Sequence, residues 1–161
     1  MNPRVVEILI AENPAQPAMR VERVRAIPGK GLDGDRYANG TGTFSHHPQR
    51  PDGELTLIQK EHLDAFSAAT GITLSGPEAR RNLVTVGVDL NALAGRSFKI
   101  GEVVIRGIRL CEPCDYLAKQ TSPEILRGLV HKGGLRAQIV TAGEIRVGDS
   151  IIELDRSSRD Q

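Results

Sequence analysis

The sequence predicts a mostly β fold with a few short helices, and three observations support this prediction. Glycine accounts for 17 of the 161 residues, about 11% against a usual level of about 7%, which indicates many turns and close backbone approaches. Short runs rich in β-branched residues recur between turn residues along the chain. Aromatic residues make up only 3% of the chain, so the core must be built from aliphatic side chains.

In the first half of the chain, β-branched runs bounded by turn residues predict four strands. They are residues 5–11, 21–27, 54–58 and 83–86. Residues 28–53 are crowded with Gly, Pro, Asp and Asn, which predicts a long loop at the rim of a functional site. Leu63 and Phe66, three residues apart, predict a short amphipathic helix over residues 59–69.

The second half predicts further strands with short helices between them. The strands are residues 98–100, 102–108, 135–139 and 151–154. A short helical turn is predicted over residues 90–93, and two short helices are predicted after Cys114, with Ser122 as a helix cap and Pro123 at the first helical position. No repeat and no low-complexity tract divides the chain, so we expect residues 1–161 to form one unit.

The charge balance limits the classes of partner. The 21 basic and 20 acidic residues leave a net charge of +1, which argues against binding to nucleic acid or to an anionic membrane by electrostatics alone. The longest apolar stretches, such as residues 8–11, fall far short of the roughly 20 residues that a membrane span needs. Glu7 interrupts the only candidate for a signal-peptide core. We therefore expect a soluble, cytoplasmic protein.

A glycine-rich motif occurs at residues 29–34, where GKGLDG matches the pattern G-x-G-x-x-G. In a dinucleotide-binding fold this pattern leads directly into a helix, whose free amides hold the pyrophosphate. The following residues, DRYANGTG, are typical of a loop, so the dinucleotide interpretation is rejected. Two interpretations stay open: a tight turn beside a surface Arg36, or a glycine loop whose amides hold an anion.

The histidines and cysteines give the sharpest chemical signals. His46 and His47 are adjacent and point in opposite directions on an extended chain, and no histidine pair has the spacing of a structural zinc site. Cys111 and Cys114 form a C-x-x-C motif that brings two sulfurs within reach. This pair predicts a redox, catalytic or metal-binding site, with two structural cysteines as the alternative. The strand-rich context argues against a thioredoxin fold.

Seven short motifs occur in order along almost the whole chain. They are GLDGDR (31–36), LTLI (55–58), RRNL (80–83), GVDL (87–90), CEPC (111–114), KGGLRA (132–137) and GEIRVGD (143–149). Together they resemble the MOSC domain, the module named after the C-terminal part of molybdenum cofactor sulfurase, in a stand-alone form. The resemblance implies a single MOSC domain over residues 1–161 with a closed, barrel-like, mostly β fold that holds the molybdenum cofactor, molybdopterin.

The resemblance also implies a chemistry. A cysteine thiolate ligates the metal in this family, and Cys114 is the matching metal-binding and catalytic residue. Better-studied relatives reduce N-hydroxylated bases and amidoximes, whereas the sulfurase branch handles sulfur for the cofactor, and pyridoxal phosphate binding is a further family-level label. We therefore expect a small-molecule substrate and a separate electron-donor protein, with flavin or iron–sulfur, or a sulfur donor. The sequence contains no aminotransferase-like domain and no ferredoxin-like cysteine set, so neither a complete sulfurase nor a self-sufficient reductase is expected.

The cofactor carries a phosphate and a polar pterin, which require cationic side chains and backbone amides. The residues that match the family motifs predict a site of cations, glycines and one amide side chain. They are Gly34, Arg36, Arg80, Arg81, Asn82, Lys132, Gly133, Gly134 and Arg136. For any single arginine, a solvated surface charge is the alternative. Two other functional classes stay open: a metal-free C-x-x-C thiol oxidoreductase and a small binding module without catalysis.

Overall fold

The computed structural model describes residues 2–12, 18–35, 53–73, 75, 81–110 and 133–154. Within these ranges the chain consists mostly of strands, which confirms the predicted fold class. The elements are β1 (Arg4–Ile10), β2 (Met19–Val21), β3 (Arg23–Ile27), β4 (Gly31–Leu32), β5 (Leu55–Gln59), α1 (Lys60–Thr70), β6 (Leu83–Val86), a 3-10 helix (Leu90–Leu93), β7 (Ser97–Ile100), β8 (Val103–Leu110), β9 (Leu135–Ile139), β10 (Gly143–Arg146) and β11 (Ile151–Glu153).

The large sheet is strongly curled and contains eight strands in the order β11-β7-β8-β9-β5-β6-β1-β2, while β10-β3-β4 form a smaller sheet. The amide of Val5 in β1 donates to the carbonyl oxygen of Asp149 at 3.0 Å, and the amide of Gly148 donates to the carbonyl oxygen of Val5 at 2.8 Å. These bonds join β1 to the segment that leads into β11. Backbone hydrogen bonds therefore connect the two ends of the strand order, β11 at one end and β1 near the other, as a barrel-like fold requires.

The inner face of the curled sheet holds an aliphatic core. Alternate residues of each strand face inward, as in β9, where Leu135, Ala137 and Ile139 are buried. Phe98 is the largest of the fully buried side chains in the described core. Because the inward positions are fixed by this alternation, the intervening residues of β9, Arg136 and Gln138, must lie on the outer face.

Helix α1 packs on the outside of the sheet. It buries Leu63 and Phe66 in a second cluster with Leu9, Ile58 and Val84. The helix begins and ends one residue later than the sequence analysis predicted, and the predicted helical turn at Leu90–Leu93 is confirmed. Among the described residues, no helix is long and apolar enough to cross a membrane.

Two sequence predictions need correction. The predicted strand 21–27 is divided at Glu22, because Met19–Val21 pairs with β1 in the large sheet while Arg23–Ile27 belongs to the small sheet. The prediction of an uninterrupted loop from residue 28 is also wrong, because Gly31–Leu32 pairs with β3 as a short strand. The two helices predicted after Cys114 lie outside the described residues.

Candidate functional site

Asn82 joins three strands of the large sheet. Its side-chain oxygen accepts hydrogen bonds from the amide and the hydroxyl of Thr56, each at 3.1 Å, and its side-chain nitrogen donates to the carbonyl oxygen of Leu9 at 3.2 Å. The side chain is only 5% exposed, so these bonds satisfy polar atoms that would otherwise be costly to bury. Asn82 therefore fixes the start of β6, next to Arg81, against β1 and β5.

Arg81 links two predicted binding segments that are 52 residues apart. Its Nε donates to the carbonyl oxygen of Gly133 at 2.9 Å, and the side chain is half-buried. This bond orients the guanidinium group and places the described part of the RRNL motif, from Arg81 onward, beside the described part of the KGGLRA motif, from Gly133 onward. The structure thus brings together two segments that the sequence analysis assigned to one site.

Gly134 lies where the chain passes directly over β5. Its φ is +105°, and a Cβ at this position would lie 1.9 Å from the carbonyl oxygen of Leu57. Both the backbone conformation and the close approach exclude a side chain. The close packing on β5 therefore fixes the main chain next to Gly133, whose carbonyl oxygen accepts from Arg81.

Arg136 stands on the outer face of β9, directly opposite Thr56 of β5. Since Thr56 bonds to Asn82, the arginine lies across β5 from the amide side chain. Five predicted site residues are thus adjacent or joined through β5. We call them the central cluster: Arg81, Asn82, Gly133, Gly134 and Arg136.

Gly34 lies in the turn after β4 and approaches the end of β1. A Cβ on Gly34 would lie 3.5 Å from Cδ1 of Ile10, and the side chain of Asp35 accepts a hydrogen bond from the amide of Ala11 at 3.0 Å. The GKGLDG segment forms the turn and return strand of a hairpin with β3, and no helix starts within the described residues 29–35. This geometry agrees with the rejection of a dinucleotide-binding motif.

Two buried carboxyl groups, which were not predicted from the sequence, position these segments. Asp35 is 2% exposed and Glu54 is 3% exposed. One carboxyl oxygen of Glu54 accepts from the amide of Gly29 at 3.0 Å and from the amide of Ile139 at 3.3 Å, which ties the glycine motif to β9. In the sequence, the one indication that Glu54 belongs to this region is its position directly before the LTLI motif.

Glu54 is expected to make stability depend on pH. Burial raises the pKa of its carboxyl group above the ordinary value of 4.5, although the amides of Gly29 and Ile139 act in the opposite direction. The folded protein then holds a proton that the unfolded chain has already lost, so this contribution to stability is complete below the ordinary pKa and is lost as the pH rises through the raised pKa. Urea unfolding of the wild type and of Glu54→Gln is measured between about pH 4 and about pH 8. As the pH rises, the free energy of unfolding of the wild type should fall relative to that of Glu54→Gln. A difference that is constant with pH would contradict this prediction.

Four predicted site residues fall outside the part of the chain that the structure describes. They are Arg36, Arg80, Cys114 and Lys132. Cys111, His46 and His47 lie outside it as well. Among the described residues, no group of three or more His, Cys, Asp or Glu side chains is placed to hold a metal ion. The assignment of the metal ligand therefore stays a prediction.

Comparisons with known structures show the same fold in three bacterial proteins. The YuaD protein of Bacillus subtilis matches with a TM-score of 0.74 and 15% identity, covering 94% of this chain and 94% of that one. YiiM of Geobacillus stearothermophilus matches with a TM-score of 0.74 and 14% identity, covering 96% and 76%. YiiM of Escherichia coli matches with a TM-score of 0.68 and 17% identity, covering 97% and 71%. At these identities the likeness establishes the fold.

A comparison by sequence establishes the family. No curated protein matches the chain significantly. The family model of the MOSC domain, however, matches residues 43–152, which is more than half of the chain and includes six of the seven motifs in full. Together with the barrel-like sheet and its structural neighbours, this match shows that the chain belongs to the MOSC domain family.

Proposed function

We propose that this chain binds the molybdenum cofactor at the central cluster and either reduces N-hydroxylated small molecules or carries sulfur or cofactor to a partner. The MOSC family is often associated with the molybdenum cofactor. The observation that carries the proposal is the hydrogen bond from Arg81 to the carbonyl oxygen of Gly133, because it joins the cationic segment to the glycine segment.

The described residues fit the chemistry of this cofactor. A phosphate is held best by guanidinium groups and backbone amides, and the guanidinium group of Arg81 lies beside the main chain of Gly133. Gly134 lets the main chain pack directly on the backbone of β5, which fixes the position of the glycine segment beside Arg81. Arg136 adds a second guanidinium group across β5 from Asn82.

Each predicted residue has a proposed role. Arg36, Arg80, Arg81, Lys132 and Arg136 would neutralise the phosphate. Gly34, Gly133 and Gly134 would offer main-chain atoms to the pterin and phosphate. These assignments follow the family motifs. Of the described residues, Arg81, Gly133, Gly134 and Arg136 lie around β5, whereas Gly34 lies beside the end of β1.

Asn82 is assigned two roles. It positions the start of β6 through its bonds to Thr56 and Leu9, and we propose that it also contributes to hydrogen bonding of the pterin. Cys114 would ligate the metal as a thiolate, a soft ligand that suits a metal cycling by two electrons. When bound, the cofactor would supply the redox chemistry, and the chain's own residues bind and orient it.

A metal-free thiol oxidoreductase is the second candidate, and the CEPC motif favours it. The first proposal requires a separate electron donor with flavin or iron–sulfur, or a sulfur donor, as well as a small-molecule substrate. The second requires a dithiol or disulfide substrate and a second thiol–disulfide partner that returns the cysteine pair to its starting redox state. Elemental analysis of protein purified from cofactor-competent cells separates the two, because only the first predicts molybdenum in a stoichiometric amount. Molybdenum-free protein that is active in thiol exchange would overturn the first proposal.

Replacing Arg80 or Arg136 by Ala is expected to weaken retention of the cofactor. A hydrogen bond to a charged group contributes about 1.5–3 kcal/mol, which corresponds to a loss of affinity of about tenfold to a hundredfold. Molybdopterin content is measured after gel filtration by the fluorescence of its oxidised pterin. Arg23→Ala, an exposed arginine on β3, is the control and should retain the wild-type content. Unchanged content in both Arg80→Ala and Arg136→Ala would refute the anion site.

A further inference from the structure

Thr56, the second residue of the LTLI motif, is joined to Asn82 by hydrogen bonds in both directions. The amide and the hydroxyl of Thr56 both donate to Oδ1 of Asn82, each at 3.1 Å. In return, the amide of Asn82 donates to the carbonyl oxygen and to the hydroxyl oxygen of Thr56, each at 3.0 Å. The two residues therefore hold each other in a fixed orientation where β6 begins beside β5.

These bonds determine which way the side-chain amide of Asn82 points. Only the oxygen of an amide can accept from the two donors of Thr56. The nitrogen, Nδ2, must then lie on the other side, where it donates to the carbonyl oxygen of Leu9 at 3.2 Å. A flipped amide would place its N–H groups against the donors of Thr56 and its oxygen against the carbonyl oxygen of Leu9. All three hydrogen bonds would be lost, so one orientation is strongly favoured.

Nδ2 of Asn82 carries a second hydrogen, and the carbonyl oxygen of Leu9 takes only one of the two. Within the described ranges, Nδ2 makes no other hydrogen bond. Asn82 is only 5% exposed, so solvent has little access to this N–H group. A buried donor without an acceptor is costly. The second N–H is therefore available to an acceptor on a bound molecule.

The surroundings of Asn82 favour an uncharged acceptor at this N–H group. Arg81 directly precedes Asn82 in the chain, and Arg136 lies opposite Thr56 on the neighbouring strand β9. The charged oxygens of a phosphate pair most strongly with guanidinium groups such as these, which leaves the neutral N–H for a neutral acceptor. In the proposed cofactor, the ring carbonyl oxygen of the pterin is an acceptor of this kind.

We propose that Thr56 is a positioning residue that sets the ring specificity of the site, because it holds Asn82 so that Nδ2 donates to the ring carbonyl oxygen of the pterin. This inference rests on the proposed function, since it specifies how the cofactor is recognised. Loss of the Thr56 hydroxyl removes one of the two donors that fix Oδ1, so the N–H group is held less firmly. A ring with an amino group in place of the carbonyl oxygen would bring a donor against this N–H group.

The test measures binding of pterin to the full chain, produced in cells that make no molybdopterin, by quenching of the pterin fluorescence. Thr56→Val removes the hydroxyl and is expected to weaken binding by about twofold to tenfold, which corresponds to one neutral hydrogen bond. Thr56→Ser keeps the hydroxyl and is expected to bind pterin as the wild type does. Thr141→Val is the matched control, because it removes an exposed hydroxyl that accepts from the amide of Val104 outside the central cluster.

A second ligand tests the wild type alone, so the result does not depend on the folding of Thr56→Val. The ligand 2,4-diaminopteridine has the ring of pterin with an amino group in place of the carbonyl oxygen. The wild type is expected to bind it about tenfold more weakly than pterin, or weaker still, because the buried N–H group of Asn82 would lose its acceptor. The molybdopterin content of protein from cofactor-competent cells should follow the same order among the variants, and it decides the question if free pterin binds too weakly to measure.

Three outcomes would overturn the inference and leave the proposed function standing. They are equal binding by the wild type and folded Thr56→Val, an equal loss in Thr56→Ser, and equal affinity of the wild type for the two rings. A wild type that binds neither ring and contains no molybdopterin would instead overturn the proposed function, and the inference with it. Circular dichroism of each variant verifies that it is folded.

Discussion

Gly134→Ala is expected to destabilise the protein by about 4 kcal/mol or more, a loss large enough to unfold many domains of this size. Two causes add together. The φ of +105° is strained for any residue with a Cβ, and the new Cβ would lie 1.9 Å from the carbonyl oxygen of Leu57 and 2.9 Å from its carbonyl carbon. The obstructing atoms belong to the backbone of β5, so β5 or β9 must move to make room.

Gly148→Ala is the matched control for this substitution. Gly148 has a φ of +96°, but a Cβ added there would meet no atom within 4 Å, so the variant carries the strain without the collision. The free energy of unfolding of Gly148→Ala is expected to fall by only about 1–2 kcal/mol. Urea unfolding measures the free energy of unfolding of both variants. If Gly134→Ala is too unstable for a full curve, resistance to proteolysis compares the folded fractions of the two variants. Similar losses in the two variants would show that the close approach to Leu57 is absent.

The sequence predicted those elements whose signal is local. Helix α1 was predicted within one residue because the spacing of Leu63 and Phe66 reflects the face that packs on the sheet. The division of the predicted strand 21–27 has no such local signal, because nothing about Glu22 itself breaks a strand. There the carbonyl oxygen of Glu22 accepts from the amide of Val147 at 3.0 Å, a contact between residues far apart in the sequence. Likewise, β4 exists because Ala26 and Ile27 pair with it, not because Gly-Leu favours a strand.

The candidate site was predictable to a similar extent. The order of the family motifs indicated that Arg81 and Gly133 belong to one site, but not that Nε of the arginine bonds to the glycine carbonyl. Glu54 and Asp35 were missed because a carboxyl group in a sequence is usually solvated. Only the tertiary fold reveals that both are buried and accept backbone amides. Residues that position a site are therefore harder to predict than residues in its motifs.

The two cysteines are expected to differ sharply in importance. If the chain binds the molybdenum cofactor, Cys114 matches the metal ligand of the family, and its replacement by Ser removes the thiolate. Changes next to a ligand typically cost about 10–100-fold, so loss of the ligand itself is expected to reduce molybdenum-dependent reduction by about 100-fold or more. Cys111→Ser is the matched control, because it makes the same change three residues away and should keep most of the activity.

A dithiol mechanism predicts a different pattern for the same pair of variants. Thiol–disulfide exchange passes through a mixed disulfide that a second thiol must resolve, so both cysteines would be required equally. Molybdenum content, measured in the same preparations, separates the two cases without reference to activity. The proposed function is supported if the wild type and Cys111→Ser contain molybdenum and only Cys114→Ser loses the reaction. Equal loss of activity in both variants, together with metal-free wild-type protein, would instead establish Cys111 and Cys114 as a redox pair.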